Sequence, residues 1–231
     1  MKKPSISFFC PAYFDEKNLP ILIPKIFKVL KENTSAFDIL IVEDGSPDKT
    51  KEVADRLSAK YQPFVKVIHH EKNMGYGATL RDGFRNAKKY DYTFYTDGDI
   101  QYDVAEIEKM LPYLKNYDAV IGFRKKRALT FSRQLQTLLF NWLIRFLFST
   151  DIKDINCSMK IVSRKALDSI KLTSNSSFID AELLIKLRDK GYKIKEIPVS
   201  HFPRKFGKAS GGSRSVIFRT IEEMMKFYFK K

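Results

Sequence analysis

The stretch Tyr92-Thr93-Phe94-Tyr95-Thr96-Asp97-Gly98-Asp99-Ile100-Gln101 opens as an apolar run and closes on two carboxylates and an amide. Aromatic and β-branched residues suit a pleated, buried segment, so Tyr92 to Thr96 reads as a strand and Asp97 to Gln101 as the loop leaving it. Two carboxylates this close repel each other unless a cation lies between them. Hard divalent cations such as magnesium or manganese take oxygen ligands, often completed by phosphates of a substrate. Asp-Gly is also a common turn pair, and alone the motif reads as an acidic turn. Its surroundings decide between the two.

Upstream, strand-like and helix-like segments alternate. Ile6 to Cys10 is a short apolar run ending at Pro11. Leu19, Leu22, Ile23, Ile26, Phe27 and Leu30 fall at helical spacing within Asn18 to Lys31. Phe37 to Val42 is a strand, Lys49 to Tyr61 a helix, Phe64 to Ile68 a strand and Ala78 to Lys89 a helix. Downstream, Val104 to Leu114 reads as a helix and Ala119 to Gly122 as a strand. Repeated β-α alternation with short connections predicts a mostly parallel sheet with helices on both faces. Ligands of such sheets bind beyond the carboxyl ends of the strands. Four polar clusters fall there: Pro11 to Glu16, Glu43 to Asp48, Asn73 to Gly77 and Asp97 to Gln101. That co-location turns the acidic turn into a candidate metal site.

The clusters differ in chemistry. Glu43 and Asp44 could accept hydrogen bonds from a base or ribose, while Ser46 or Asp48 could cap the next helix. Asn73-Met74-Gly75-Tyr76-Gly77 lacks the spacing of a dinucleotide fingerprint and the chain has no Walker sequence. Its glycines either admit a ligand close to the backbone or simply form a loop.

The second half changes character. Leu129 to Phe148 is a heavily apolar helix, Cys157 to Val162 a strand, Phe178 to Lys190 a helix and Lys193 to Val199 a last strand. Arg204 to Ser215 is a loop of Gly, Ser, Lys and Arg, followed by an amphipathic helix, Val216 to Phe229. The apolar stripe of Leu129 to Phe148 is wider than one core face needs. With Arg127, Arg133 and Arg145 nearby it resembles an interfacial helix on anionic lipid, or else a core or dimer contact.

The chain has 231 residues, 44% of them hydrophobic, with 42 basic and 27 acidic side chains and a net charge of +15. This is a globular composition whose charge favours anionic partners: nucleic acid, anionic lipid or phosphorylated substrates. Nucleic acid is disfavoured, since no aromatic RNA signature or zinc finger appears and the strand-end loops are acidic. Two cysteines, Cys10 and Cys157, with no CxxC spacing, argue against zinc and against a disulfide framework. Met1 to Pro4 leads into a strand-like run rather than a signal peptide. No uninterrupted apolar stretch reaches the ~18 residues of a membrane span.

Taken in order, these motifs resemble glycosyltransferase family 2. Ser5 to Leu19 (SISFFCPAYFDEKNL) is similar to its opening strand and loop, Val42 to Thr50 (VEDGSPDKT) to its second signature, and Asn73 to Gly83 (NMGYGATLRDG) to its third. Thr96 to Gln101 (TDGDIQ) is similar to its metal motif. Gly122-Phe123-Arg124, Asp154 to Ala166 (DINCSMKIVSRKA), Phe178 to Leu184 and Glu196 to Gly207 (EIPVSHFPRKFG) resemble the dolichol- or polyprenyl-phosphate sugar synthases within it. Ser158-Met159 replaces an often-seen Gly-Phe, and Glu43 stands where Asp is usual.

The resemblance implies a GT-A fold, a Rossmann-like α/β single domain over 1–231 with C-terminal amphipathic helices. Residues 1–122 would bind the nucleotide sugar, and 123–231 would face acceptor and membrane. Pro11, Ala12, Tyr13, Glu16 and Asp44 would hold the nucleoside. Asp97, Asp99 and Gln101 would bind Mg2+ or Mn2+ and the adjoining diphosphate. Arg124, Arg133, Arg204 and Lys208 would meet phosphates, and Asp154, with Asp99, would be a catalytic carboxylate. The implied enzyme is an inverting, metal-dependent hexosyltransferase. It would carry a sugar from GDP-mannose or a UDP-hexose to polyprenyl or dolichyl phosphate, peripherally bound at the cytoplasmic face of a membrane and paired with an anchoring partner. A hydroxyl acceptor in cell-surface polysaccharide synthesis is the alternative, and it would require a base such as Asp180 or Glu182.

Overall fold

Alternation along one strand organises the whole structure. In the computed structural model, which describes residues 3–125, 131–207 and 213–230 (the side chains of 131–137 and 214 excepted), strand β1 runs Ser5–Ala12. Its Ile6, Phe8, Cys10 and Ala12 pack into one apolar cluster. Phe9, pointing the other way, packs into a second. Successive strand side chains face opposite sides, so a strand with both sets buried has helices on both faces. The first layer holds α1 (Leu19–Asn33) and α2 (Thr50–Lys60). The second holds α3 (Tyr76–Asn86) and α6 (Ile179–Asp189).

The sheet has seven strands in the order β3-β2-β1-β4-β6-β5-β7. The remaining strands are β2 (Ala36–Glu43), β3 (Val65–His69), β4 (Tyr92–Tyr95), β5 (Ala119–Arg124), β6 (Lys160–Ser163) and β7 (Ile194–Val199). All neighbouring pairs are parallel except those of β6, which runs antiparallel to both β4 and β5. β1 is central to the first half, with Ile6–Phe9 registered on Tyr92–Tyr95 and Ser5–Ala12 on Ala36–Glu43. The carboxyl ends of β1, β2 and β4 therefore lie side by side, and the polar loops of the sequence meet there.

α1 forms where the apolar spacing places Leu19, Leu22, Ile23, Ile26 and Leu30 on one buried face. Each such side chain contributes about 1.5–3 kcal/mol relative to exposure. The expected helix over Val104 to Leu114 is instead two 3-10 segments, Val104–Lys109 and Leu111–Lys115. Pro112 lacks the N–H that would continue an α-helical ladder and interrupts it. A short helix α5 (Arg164–Asp168), capped by the Ser163 hydroxyl accepting from Ala166 N, had no sequence signal.

The second half closes the far edge. α4 (Phe131–Phe148) and α7 (Arg214–Lys230) pack with α6 around Ile121, Ile144, Phe148, Leu184 and Met224. Phe178 and Phe227 form an aromatic group with Phe148, their ring centroids 5.3–6.2 Å apart. The opposite side of α4 stays open: Trp142 and Phe146 are 62% and 71% exposed and stack at 5.6 Å. No helix among the described residues is long and apolar enough to cross a membrane.

Candidate active site

The loops after β1, β2 and β4 converge because small and strained residues let them. A side chain on Gly98 would bring its Cβ to 2.5 Å from the Pro11 carbonyl oxygen and 3.2 Å from Asp15 Oδ2. Only glycine fits between the two aspartates at this spot. Gly45, at φ +61°, would drive a Cβ into the Lys72 backbone. Phe14 and Ile100 adopt φ of 59° and 55°, which is strained for a bulky or β-branched residue. Such strain is tolerated where the fold over-determines the backbone, often at a functional site.

Asp97 and Asp99 sit at the tip of β4. Burial raises the Asp97 carboxyl to about 7, with repulsion from Asp99 and Asp180 adding to it. Asp99 is 5% exposed, and its carboxyl is also raised by burial, although Arg204 pulls against the shift. Arg204 Nη2 donates to Asp99 Oδ2 at 2.5 Å, and Gln101 N donates to Asp99 Oδ1 at 3.1 Å. The Gln101 side-chain amide donates to the Phe202 carbonyl at 3.0 Å, and Phe202 N returns a bond to the Gln101 carbonyl at 2.8 Å. The 201–207 segment is thereby fastened to the loop of Asp97 to Gln101, and Arg204 is set on Asp99. Arg204 Nε is buried with no hydrogen-bond partner among the described residues.

A fit to a hard cation can be judged from this donor set. Asp99 raises the proton affinity of Asp97, and Asp99 itself already draws a guanidinium. Oxygen donors from Asp97, Asp99 and the Gln101 amide suit magnesium or manganese. Among the described residues no three His, Cys, Asp or Glu side chains form a ready-made metal cage. Any cation would need ligands from waters or substrate phosphates, as magnesium commonly does.

The nucleoside candidates lie beside this centre. Asp44 Oδ1 accepts from Met74 N at 2.7 Å and lies 2.7 Å from His70 Nδ1, while Oδ2 accepts from Gly75 N at 3.0 Å. Asp44 thus braces the 73–75 loop against β2. His70 Nε2 is 3.2 Å from Asp82 Oδ2 but out of hydrogen-bond alignment. Glu43 holds the turn that follows β2, accepting from Ser46 N at 2.5 Å. Pro11 and Ala12 end β1, with Ala12 O accepting from Asp44 N at 3.0 Å. Tyr13 is half-buried, and Glu16 lines a cleft of about 400 Å³ with Phe14, Lys17, Asp48, Phe206 and Gly207. A second cleft of about 540 Å³ lies between Glu106, Lys109, Lys125, Ser200 and His201.

Asp154, expected as a carboxylate near the reacting centre, is 1% exposed and forms a fork with Arg124. Nε reaches Oδ2 and Nη2 reaches Oδ1, each at 2.7 Å, and Arg124 N adds a third bond at 3.1 Å. A carboxylate with both oxygens held by one guanidinium makes a poor proton acceptor. Burial opposes the Arg124 charge, but Asp154 outweighs it and raises the guanidinium above its ordinary value. Of the other basic candidates, Lys208 lies outside the described residues. Arg133 falls on α4 where only the backbone is described.

Sequence reasoning missed two features. Asp15, 5% exposed, accepts from Tyr13 N at 2.9 Å and from Asn18 Nδ2 at 2.7 Å, beneath Gly98. Burial raises its carboxyl. The other is a buried polar chain behind Asp97. Tyr76 Oη lies 3.1 Å from Asp97 Oδ1 and 3.3 Å from Asp180 Oδ2. Asp180 Oδ1 in turn accepts from Tyr95 Oη and from Lys160 Nζ, the latter at 2.5 Å. A lysine inside an apolar strand run was the available signal.

Comparison with known proteins identifies the family and the fold. The profile of Glycosyl transferase family 2 matches residues 7–171. Glycosyltransferase AglD of Haloferax volcanii is 27% identical over 209 residues, 86% of this chain and 33% of that protein. An uncharacterized protein of Methanocaldococcus jannaschii is 31% identical over 205 residues, 82% of this chain and 85% of that one. The undecaprenyl-phosphate 4-deoxy-4-formamido-L-arabinose transferase of Pectobacterium carotovorum is 25% identical, covering 88% and 61%. The chain thus spans a third of the length of AglD and about three fifths of the arabinose transferase. Among solved structures, glucosyl-3-phosphoglycerate synthase of Mycobacterium tuberculosis, in complex with Mn2+, UDP and glucosyl-3-phosphoglycerate, superposes with a TM-score of 0.76. It is 16% identical, covering 96% of this chain and 79% of that one. Its complex with Mn2+ and UDP-glucose gives a TM-score of 0.73 at 17% identity, covering 97% and 79%. These likenesses identify the fold as GT-A.

Proposed function

Because the chain belongs to glycosyl transferase family 2, and is a glycosyltransferase, we propose that it moves a hexose from a nucleotide diphosphate donor to a polyprenyl phosphate with inversion at the anomeric carbon. The observation that carries this reading is the Asp97–Asp99 pair at the strand tip with Arg204 folded onto it. A diphosphate is the substrate group that such a mixed site of carboxylates and guanidinium handles. One relative's name favours a lipid phosphate: the undecaprenyl-phosphate 4-deoxy-4-formamido-L-arabinose transferase. A GDP-mannose or UDP-hexose donor follows from the family resemblance, and the solved neighbour holds UDP.

Asp97, Asp99 and Gln101 Oε1 would hold Mg2+ or Mn2+. When bound, such a cation stabilises the charge of the departing diphosphate. The chain's own residues do the rest. The β1 and β2 loops, with Pro11, Ala12, Tyr13 and Glu16, seat the nucleoside, while Asp44 keeps the 73–75 loop in place beside it. Arg204 turns from Asp99 to the diphosphate, its unpartnered Nε offering a further donor. Arg124 lines the acceptor side, held by Asp154 as a positioning partner rather than a base. Arg133 and Lys208 add positive charge for the same phosphates. The acceptor phosphate is largely anionic near neutral pH, its second pKa being about 6, so little general-base help is needed.

A hydroxyl acceptor would need a free carboxylate base, and the two candidates are committed. Asp180 is paired with Lys160. Glu182 accepts from Thr173 N, Thr173 Oγ1 and Ser174 N at 2.7–3.0 Å. This favours the phosphate acceptor. The bared side of α4, with Leu138, Leu139, Trp142 and Phe146 all at least 58% exposed, suits a peripheral seat on the cytoplasmic face of a membrane. Residues 1–122 would then serve the donor, and 123–231 the acceptor and the lipid.

The test is a panel of nucleotide sugars with Mn2+ or Mg2+ and purified polyprenyl phosphate, scored for radiolabel in the lipid fraction. Labelled lipid with one donor is the expected result. Absence of product with every donor, alongside transfer to a hydroxyl acceptor, would overturn the lipid reading.

A further inference from the structure

Lys160 is the least expected residue in the sheet. It lies on β6, between Tyr95 of β4 and Ile121 of β5, with no exposure to solvent. All three ammonium protons are used: on Cys157 O at 2.5 Å, Tyr95 Oη at 2.9 Å and Asp180 Oδ1 at 2.5 Å. Asp180, in the first turn of α6, is 3% exposed. A buried ion pair of this kind is a poor source of stability, since apolar residues of similar volume usually serve as well or better. Its presence in mid-sheet calls for another reason, and its far end supplies one.

From Asp180 the contacts continue outward to the candidate cation site. Tyr76 Oη, at the start of α3, stands between Asp180 Oδ2 and Asp97 Oδ1 at 3.3 and 3.1 Å. The hydroxyl shares its one proton between the two carboxylates. Asp97 is thereby held on one oxygen from behind. Ser158 adds a brace, accepting from Asp97 N at 3.3 Å. Each link joins a different element: β6, α6, α3 and the β4 tip.

We propose that Lys160 and Asp180 are positioning residues for the cation site, fixing Asp97 through Tyr76. The assignment rests on the reading of Asp97 and Asp99 as cation ligands and deepens it. Neither Lys160 nor Asp180 touches the cation. They set the direction of the carboxylate that does.

The test measures Mn2+ binding by the full chain without donor, by titration calorimetry and by electron paramagnetic resonance, beside thermal unfolding. Three variants are compared: Tyr76→Phe, the neutral pair Lys160→Met/Asp180→Asn, and Asp99→Asn. Tyr76→Phe and the double variant should bind Mn2+ roughly 10- to 100-fold more weakly, the loss typical of outer-shell removal. The resonance line of bound Mn2+ should change, and the double variant should keep a cooperative transition. Mn2+ affinity unchanged or tighter in Tyr76→Phe, with Asp99→Asn losing it, would overturn the proposal while leaving the cation site intact. Failure of the wild-type chain to bind Mn2+ would overturn the cation reading, and the proposal with it. Should the double variant not fold, Tyr76→Phe, which removes one oxygen, decides alone.

Discussion

Arg204 and Asp99, 105 positions apart, meet at 2.5 Å through Nη2 and Oδ2. The last loop of the chain thus places a positive charge on one of the two carboxylates proposed to hold a divalent cation. Guanidinium and cation compete for the same oxygen, and the first prediction follows from that competition. Arg204→Gln should tighten Mn2+ binding by up to roughly fivefold, the range expected from removing a partly exposed ion pair. The same change should lower sugar transfer about 10- to 100-fold, because the diphosphate loses a charged hydrogen bond. Calorimetry and steady-state kinetics on one preparation would show the two effects moving in opposite directions.

Asp99→Asn should behave differently. It keeps the shape of the side chain and removes the charge. Mn2+ binding should be lost and transfer should fall about 100- to 1000-fold, as on removing a main electrostatic contact, with the thermal midpoint little changed. Full activity in a folded Asp99→Asn enzyme would contradict the metal assignment.

Asp154→Ala should act on stability before chemistry. It strands the Arg124 guanidinium, whose side chain is only 8% exposed, and breaking a buried pair typically costs about 3–5 kcal/mol. Denaturant unfolding should show that loss. A paired Arg124→Met/Asp154→Leu change should recover much of it while transfer stays low, which separates packing from function.

Glu223 should make stability sensitive to acid. On α7, it accepts from Ser174 Oγ, Asn175 N, Ser176 N and Ser176 Oγ. Burial pushes its carboxyl up, but these donors outweigh burial and hold it below its ordinary value of 4.5. A carboxyl depressed on folding stabilises fully above the unfolded value and loses that contribution as pH falls through the folded one. Wild-type stability should therefore drop below about pH 4.5. Glu223→Gln should be less stable at neutral pH and show a shallower acid slope in denaturant titrations from pH 7 to 3.

Trp142→Glu/Phe146→Glu should weaken binding to anionic vesicles by roughly tenfold or more, since each buried aromatic contributes about 1.5–3 kcal/mol. Both side chains are mostly exposed and stacked on each other, so folding should be spared. Vesicle co-sedimentation and unfolding curves would show whether the two separate.

Much of the architecture was legible along the chain. Ile6, Phe8 and Cys10 alternate with Phe9, and Leu19 to Leu30 repeat at helical spacing, because neighbours in sequence report which face is buried. The strand-end loops were legible for the same reason: a parallel β-α order puts them on one edge. Over Val104 to Leu114 the helical periodicity points to one helix, whereas the missing N–H of Pro112 leaves two 3-10 segments.

Local patterns along the chain suffice for the order of the elements, the two buried faces of the sheet and the placing of Asp97 and Asp99 at a strand tip. Tertiary structure alone decided what those carboxylates meet. Arg204 on Asp99, Arg124 around Asp154, and Lys160 behind Asp97 through Asp180 and Tyr76 join residues 20 to 105 positions apart. Periodicity is a local signal that falls silent over such distances. A buried charge finds its partner only once the sheet has brought β4, β6 and α6 together, and the partner then determines whether a carboxylate is a brace or a ligand.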